Sequence, residues 1–327
     1  MLSKNEYQPI APAVWEGKKD GTATSHQRWG EVVQFLDLKE KLPDLKKTFV
    51  LIGFPCDEGV RRNNGRIGAA GGPQQLRAVL KNLPVHHATG IKIFDAGDVL
   101  CLEGNLEAAQ DQLAAAVGSV IRNGGFPVVL GGGHEVTYGH FKGIQNSSAA
   151  TTQIGVVNFD AHFDLREPGN NQGNSGTGFY QIAMDLKKKE QSLRYLPIGI
   201  QRISNAQKLF DTADAFNVNY IEAFSLTEAN LPSVLSELQR FLDSVDQVYL
   251  TIDLDVFTAA AAPGVSAPAF NGVAIGPPFF TMLRRICRSG KLVSLDIAEL
   301  NPLYDQDDRT AKLAAAILFD ALLETDL

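Results

Sequence analysis

Cysteine is scarce in this chain. Of 327 residues only Cys56, Cys101 and Cys287 are cysteines, far apart and without a CxxC pair. That excludes a disulfide framework and a thiolate zinc knuckle, and it leads us to expect reduced thiols in a cytoplasmic protein. The first twenty residues hold no continuous apolar stretch of the signal-peptide kind. The longest uncharged run, Val256 to Leu283, is interrupted by Pro263, Pro268, Pro277 and Pro278. It reads as a long loop and a helix start, not as a membrane span. Positive charge is also in deficit, with 30 Lys and Arg against 37 Asp and Glu and a net charge of −7. This argues against nucleic-acid partners and anionic membranes. Glycine, in contrast, is plentiful at 30 residues.

Short, nearly continuous apolar runs recur along the chain. They are TFVLIGF (48–54), IKIF (91–94), FPVVL (126–130), IGVVNF (154–159), YLPIGI (195–200), 219–221, VYLTIDL (248–254) and LVSLDI (292–297). Runs without alternation suit strands covered on both faces. Between them lie helical patterns at 106–121, 231–242 and 307–323, and Pro73 suits the first turn of another. The alternation predicts one α/β domain over 1–327. It is a three-layer α/β/α fold with a mostly parallel sheet of about eight strands, preceded by an irregular N-terminal extension over 1–45. In such sheets the site lies beyond the carboxyl ends of the strands.

Three strand ends carry chemistry. One run ends in Gly131-Gly132-Gly133-His134-Glu135, another in Asp160-Ala161-His162-Phe163-Asp164, and a third in Asp253-Leu254-Asp255. If each segment stays extended, period-two alternation sends Asp160, His162 and Asp164 one way, and Asp253 with Asp255 likewise. Several carboxylates converging in a buried site cannot all ionise without cations. Imidazole and oxygen donors without thiolate favour Mn²⁺, with Fe²⁺, Co²⁺, Ni²⁺ and Zn²⁺ as alternatives. The glycine triplet lacks GxGxxG and GK[ST], so no nucleotide loop is assigned.

GGGHEVTYGH, NFDAHFDLR, TIDLDVFTAAAAPGVSAP and LDIAELNP resemble the arginase/agmatinase (ureohydrolase) family from about residue 48 onward. CDEGVRRNNGRIGAAGGPQQLR, SGTGF, GIQRISN and APGVSAPA are similar to its formimidoylglutamase branch. The resemblance implies a centre of two Mn²⁺ per subunit. One ion would take His134, Asp160, Asp164 and Asp253, the other Asp160, His162, Asp253 and Asp255. It further implies hydrolysis of N-formimidoyl-L-glutamate to L-glutamate and formamide. Water held between two cations has a lowered pKa and supplies the attacking hydroxide. Asp164 is the expected proton shuttle to the leaving amine, and Glu299 of the ELNP segment is expected to face the formimino nitrogens.

Substrate carboxylates need a cationic fork, for which Arg166 is the first candidate and Arg61, Arg62 and Arg66 are others. Ser175, Thr177 and Tyr180 of the SGTGFY segment are candidate pocket residues. Arginase has a segment similar to SGNxHG there, so its histidine is absent, and Gly178 stands where the narrower branch has proline. The alternatives are a ureohydrolase acting on agmatine or guanidinobutyrate, and a non-catalytic metal-binding regulator. His140 is expected to pack beneath the site without ligating. A homo-oligomer is expected from the resemblance.

Overall fold

All but residues 1, 3, 4, 89 and 171 are described by the computed structural model, so part of the N-terminal extension lies outside it. The first elements are β1 (Tyr7–Gln8), α1 (Trp29–Val32), β2 (Gln34–Phe35), β3 (Thr48–Phe54), α2 (Glu58–Arg62), α3 (Gly72–Leu80) and β4 (Lys92–Val99). Then come α4 (Leu106–Arg122), β5 (Phe126–Gly131), α5 (Val136–Gln145), β6 (Ile154–Phe159), α6 (Gly178–Lys188), β7 (Arg194–Ile200) and α7 (Gln207–Ala215). The rest are β8 (Ile221–Glu222), α8 (Leu231–Asp243), β9 (Gln247–Asp253), α9 (Pro277–Cys287), β10 (Leu292–Ala298) and α10 (Arg309–Glu324).

Seven of the apolar runs become strands, the run at 219–221 gives only Ile221 to β8, and the sheet order is β1-β4-β3-β5-β10-β9-β6-β7-β8. Among the strands of the described residues only β1 pairs antiparallel. The sheet has ten strands instead of eight because β1 and β2 both pair with β4. Each has two residues, too few to show a period in sequence. They lie in the N-terminal extension, which is also pinned by buried Trp15 and Trp29.

The apolar residues form two layers. Leu76, Leu80, Leu238, Met282 and Ile317 of α3, α8, α9 and α10 cover one face. Leu113, Phe141, Ile182 and Leu209 of α4, α5, α6 and α7 cover the other. Strands buried on both faces explain why their sequences are continuously apolar. Among the described residues no helix is long and apolar enough to cross a membrane.

Four neighbouring strands, β5, β10, β9 and β6, end side by side: Ile297 stands opposite Leu130 and Ile252, and Ile252 opposite Phe159. Their carboxyl ends form one shelf, and the loops leaving it hold all three chemistry-bearing segments. The chain crosses from β5 to β6 and later returns to fill the gap with β9 and β10, which opens a crevice there.

A buried ion pair anchors the far side. Arg77 of α3, 1% exposed, reaches Asp95 of β4 with Nε–Oδ2 2.7 Å, and Trp15 Nε1 donates to the same oxygen at 2.7 Å. Without Asp95 the buried Arg77 would keep only the half-buried Asp98, paired at 2.7 Å, so the cost falls towards the lower end of the range of about 3–5 kcal/mol typical of a broken buried pair. Asp95→Ala is therefore expected to lose stability on that scale in chemical denaturation. A loss below about 1 kcal/mol, typical of surface pairs, would contradict this packing.

Candidate metal centre

The GGGH loop leaves β5 where two backbones nearly touch. Gly133 N–H donates to Cys56 O at 2.8 Å, and a Cβ on Gly132 would fall 1.9 Å from that carbonyl oxygen. Only glycine allows this approach. Glu299 N–H donates to Gly132 O at 2.7 Å, and Glu299 Oε1 accepts from His134 N–H at 2.7 Å. The ends of β5 and β10 are thus tied together, and His134 is aimed into the crevice.

The acidic segments converge, but not by strand alternation. β6 ends at Phe159, and Asp164 lies in the left-handed region at φ 47°. His162 N–H donates to Asp160 Oδ1 at 2.6 Å, so the segment folds back on its own first carboxylate. Asp253 is the last residue of β9, and a 3₁₀ turn over Leu254–Val256 follows. Asp255 N–H donates to Asp253 Oδ1 at 2.8 Å. Side chain to backbone bonds of this kind are what Asp does at turns. They replace the extended geometry expected from sequence.

Two groups result. His134 Nδ1 lies 3.2 Å from Asp160 Oδ2, 2.8 Å from Asp164 Oδ2 and 3.3 Å from Asp253 Oδ2. His162 Nδ1 lies 3.4 Å from Asp160 Oδ1 and 3.0 Å from Asp255 Oδ2. His134, Asp160 and Asp253 offer one ligand group, and Asp160, His162 and Asp255 a second. Asp160 turns one oxygen to each. Asp253 joins the first group, while its other oxygen takes the Asp255 N–H.

His134, His162, Asp164, Asp253 and Asp255 floor a cleft of ≈ 300 Å³ that Arg66, Arg166, Ser175 and Glu299 also line, and fully buried Asp160 lies outside that lining. Ser175 Oγ accepts from Asn63 Nδ2 at 3.0 Å. Other expected residues do not reach it. Arg61 and Arg62 lie one helical turn from Glu58 and pair with it at 2.6 and 3.0 Å, and Arg62 also pairs with Glu107 at 2.6 Å. Thr177 is buried within its own loop, bonded to Asn174 and Gln181. Tyr180 lines a neighbouring cavity, against Phe216. The cleft instead includes Asn63, Asn64, Asn205 and Ser266, which sequence reasoning did not single out. Ser266 donates to Glu299 Oε2, and its position in the quoted PGVSAP motif was the available signal.

The model of the Arginase family matches residues 47–324. The chain belongs to the arginase family. It is 45% identical to the formimidoylglutamase of Chromobacterium violaceum, covering 93% of this chain and 95% of that one. Identity to the formimidoylglutamase of Paraburkholderia xenovorans is also 45%, over 96% and 99%. Among solved structures, Trypanosoma cruzi formiminoglutamase with Mn²⁺ superposes with TM-score 0.71 at 25% identity, covering 84% of this chain and 92% of that one.

The electrostatics of this arginase-family site call for cations. Asp160, Asp164, Asp253 and Asp255 are all buried, and among the described residues no Lys or Arg forms a salt bridge with any of them. Burial, then the charges of Asp255 and Asp160, push Asp253 well above the usual carboxylate range. Burial and Asp160 raise Asp164 too. Burial opposes the charge on His134, yet hydrogen bonds to Asp160 and Asp164 outweigh it and hold the imidazole above its ordinary value. In the metal-free chain these shifts favour protons at the places that suit cations. The donor set fits them: ligands sharing one octahedral ion at about 2.1 Å stand roughly 3.0 Å apart, close to the separations above.

Binding a divalent cation must expel those protons, because the metal-free state holds more of them than the loaded state. Affinity should therefore rise with pH through the elevated range. Calorimetric Mn²⁺ titration in buffers of different ionisation enthalpy is expected to register net proton release. An enthalpy independent of buffer would contradict these shifts.

Proposed function

We propose that this chain hydrolyses N-formimidoyl-L-glutamate to L-glutamate and formamide with two Mn²⁺ per subunit, as a step of histidine degradation. The observation that carries the reading is the cleft itself. Acceptor groups for two cations and the Glu299 carboxylate stand at its floor, and two guanidinium groups on its walls. The formimidoylglutamase relatives at 45% identity support it, and the Trypanosoma cruzi structure with Mn²⁺ supports the choice of metal. We place its action in the cytoplasm, as a homo-oligomer.

His134, Asp160, Asp164 and Asp253 would hold one ion. His162, Asp253 and Asp255 would hold the other, with Asp160 and Asp253 shared. When bound, the ions supply Lewis acidity that lets water lose a proton near neutral pH.

The remaining work falls to side chains. Glu299 sits at φ 70°, a backbone state that a non-glycine residue keeps only when its surroundings enforce it. Its carboxylate is held by the His134 N–H and Ser266, and burial raises it to about 7. A cationic formimino group beside it favours the ionised form and is oriented by it.

Asp164 is 9% exposed, more than Asp160, Asp253 or Asp255 at 0, 3 and 2%, so it is the carboxylate ligand nearest the open cleft. It accepts the proton of the attacking water and returns it to the amine nitrogen as the carbon–nitrogen bond to glutamate breaks.

Arg66 and Arg166 face the substrate carboxylates. Arg66 is braced by the Val265 carbonyl at 2.5 Å and stacked on Tyr304 at 4.1 Å, with its buried Nε unpartnered. Arg166 has no ion-pair partner among the described residues. Agmatine would bring a cation to these two arginines, which disfavours that alternative.

Turnover with added Mn²⁺ of formimidoylglutamate, arginine, agmatine and guanidinobutyrate tests the reading. Formamide from the first is expected, and urea from any of the others in its place would overturn it. Losing one charge-assisted contact costs about 1.5–3 kcal/mol, roughly 10–100-fold. Arg166→Ala should therefore raise KM on that scale with a smaller effect on kcat. Unchanged kinetics would remove Arg166 from the substrate.

A further inference from the structure

Behind His134, on the side away from the carboxylates, runs a column of polar side chains. His134 Nε2 lies 3.0 Å from Thr251 Oγ1, and Thr251 Oγ1 donates to Asp296 Oδ1 at 2.7 Å. Asp296 Oδ2 lies 2.6 Å from His140 Nδ1 and accepts from the Tyr249 hydroxyl. His140 Nε2 lies 2.6 Å from Ser294 Oγ, which donates to Pro127 O at 2.8 Å. Thr251, Asp296, His140, Tyr249 and Ser294 are all fully buried, at 0% exposure.

The fold makes the column deliberately. Tyr249 stands opposite Ser294 and Thr251 opposite Asp296 in the β9–β10 register, at spacing two on one sheet face. The intervening Leu250 and Leu295 belong to the apolar layer on the other face. His140 descends from α5, six residues after His134, and packs on Tyr249 with ring centroids 4.5 Å apart. A buried carboxylate costs free energy that well-packed apolar residues would not. Stability alone does not account for the column.

Its proton bookkeeping has one solution at the top. The single hydroxyl proton of Thr251 goes to Asp296 Oδ1. Thr251 Oγ1 is then left as an acceptor towards His134 Nε2, which must carry a proton. We infer that Thr251 and Asp296, braced by His140 and Tyr249, are positioning residues. They fix His134 with Nε2 protonated and Nδ1 presented to a divalent cation. This rests on the metal reading above. It extends that reading to residues that touch neither substrate nor ion, in the way outer-shell partners orient ligating histidines.

Thr251→Val keeps the shape and removes the hydroxyl, whereas Thr251→Ser keeps the hydroxyl. Mn²⁺ titration, with the free ion counted by its electron paramagnetic resonance, reads the two binding steps separately. Thermal unfolding checks that each variant is folded. Thr251→Val is expected to weaken one step 10–100-fold and leave the other within about threefold. Thr251→Ser should remain within about threefold of wild type in both. Should Thr251→Val fail to fold, Asp296→Asn carries the same expectation of one weakened step. Wild-type affinity in the tested variant, equal weakening of both steps, or a Thr251→Ser variant as weak as Thr251→Val would each overturn the inference. Absence of Mn²⁺ binding by the wild type would instead reject the metal reading itself.

Discussion

Four buried carboxylates repel one another, and the rest of the site is arranged around that repulsion. Asp160, Asp164, Asp253 and Asp255 meet with two imidazoles and without a guanidinium or ammonium paired to them. In a medium of low polarity this arrangement stands only if positive charge enters. The raised Asp164 and Asp253 carboxyls show the metal-free chain favouring protons there, which a divalent cation would have to displace. The carboxylates are not free to splay apart, because backbone N–H groups at 162 and 255 grip Asp160 and Asp253 from behind. Hydrogen bonds from His134 and His162 outweigh the cost of burial at Asp160 and keep its carboxyl below the usual range. Among these four carboxylates it is the one held low, and it is turned towards both groups.

The scaffold concentrates these groups by topology. Adjacent strands β5, β10, β9 and β6 end on one shelf, so segments more than a hundred residues apart in sequence need only short turns to meet. Backbone strain is also present at this place. Asp164 and Glu299 both have positive φ, and each is held by bonds to the His134 segment. The cleft above changes sign of charge over a short distance, from carboxylates at its floor to Arg66 and Arg166 on its walls. A small molecule with a cationic end and anionic arms matches that polarity.

Much of this was legible in sequence. Doubly covered strands are continuously apolar, so β3 to β10 stood out, and so did the strand ends bearing His134, Asp160 and Asp253. What escaped notice has physical reasons. β1 and β2 are stabilised only by pairing with β4, and two residues carry no period. The turns at 160–164 and 253–256 are set by side chain to backbone bonds that alternation rules do not contain. Arg61 and Arg62 resemble Arg66 in sequence, but their spacing from Glu58 claims them for a helix face. The place of His140 beneath the site was expected. Its link to His134 through Asp296 and Thr251 depends on a register between β9 and β10 that only the folded chain reveals.

In the proposed site the Asp160 carboxylate stands between the two cations, with one oxygen towards each ligand group. Electron paramagnetic resonance of the protein loaded with two equivalents of Mn²⁺ tests this arrangement most directly. Ions bridged by a shared carboxylate should give an exchange-coupled spectrum that collapses to isolated-ion signals, or to none, in Asp160→Ala. A wild-type spectrum of one uncoupled six-line Mn²⁺ per chain would contradict the account.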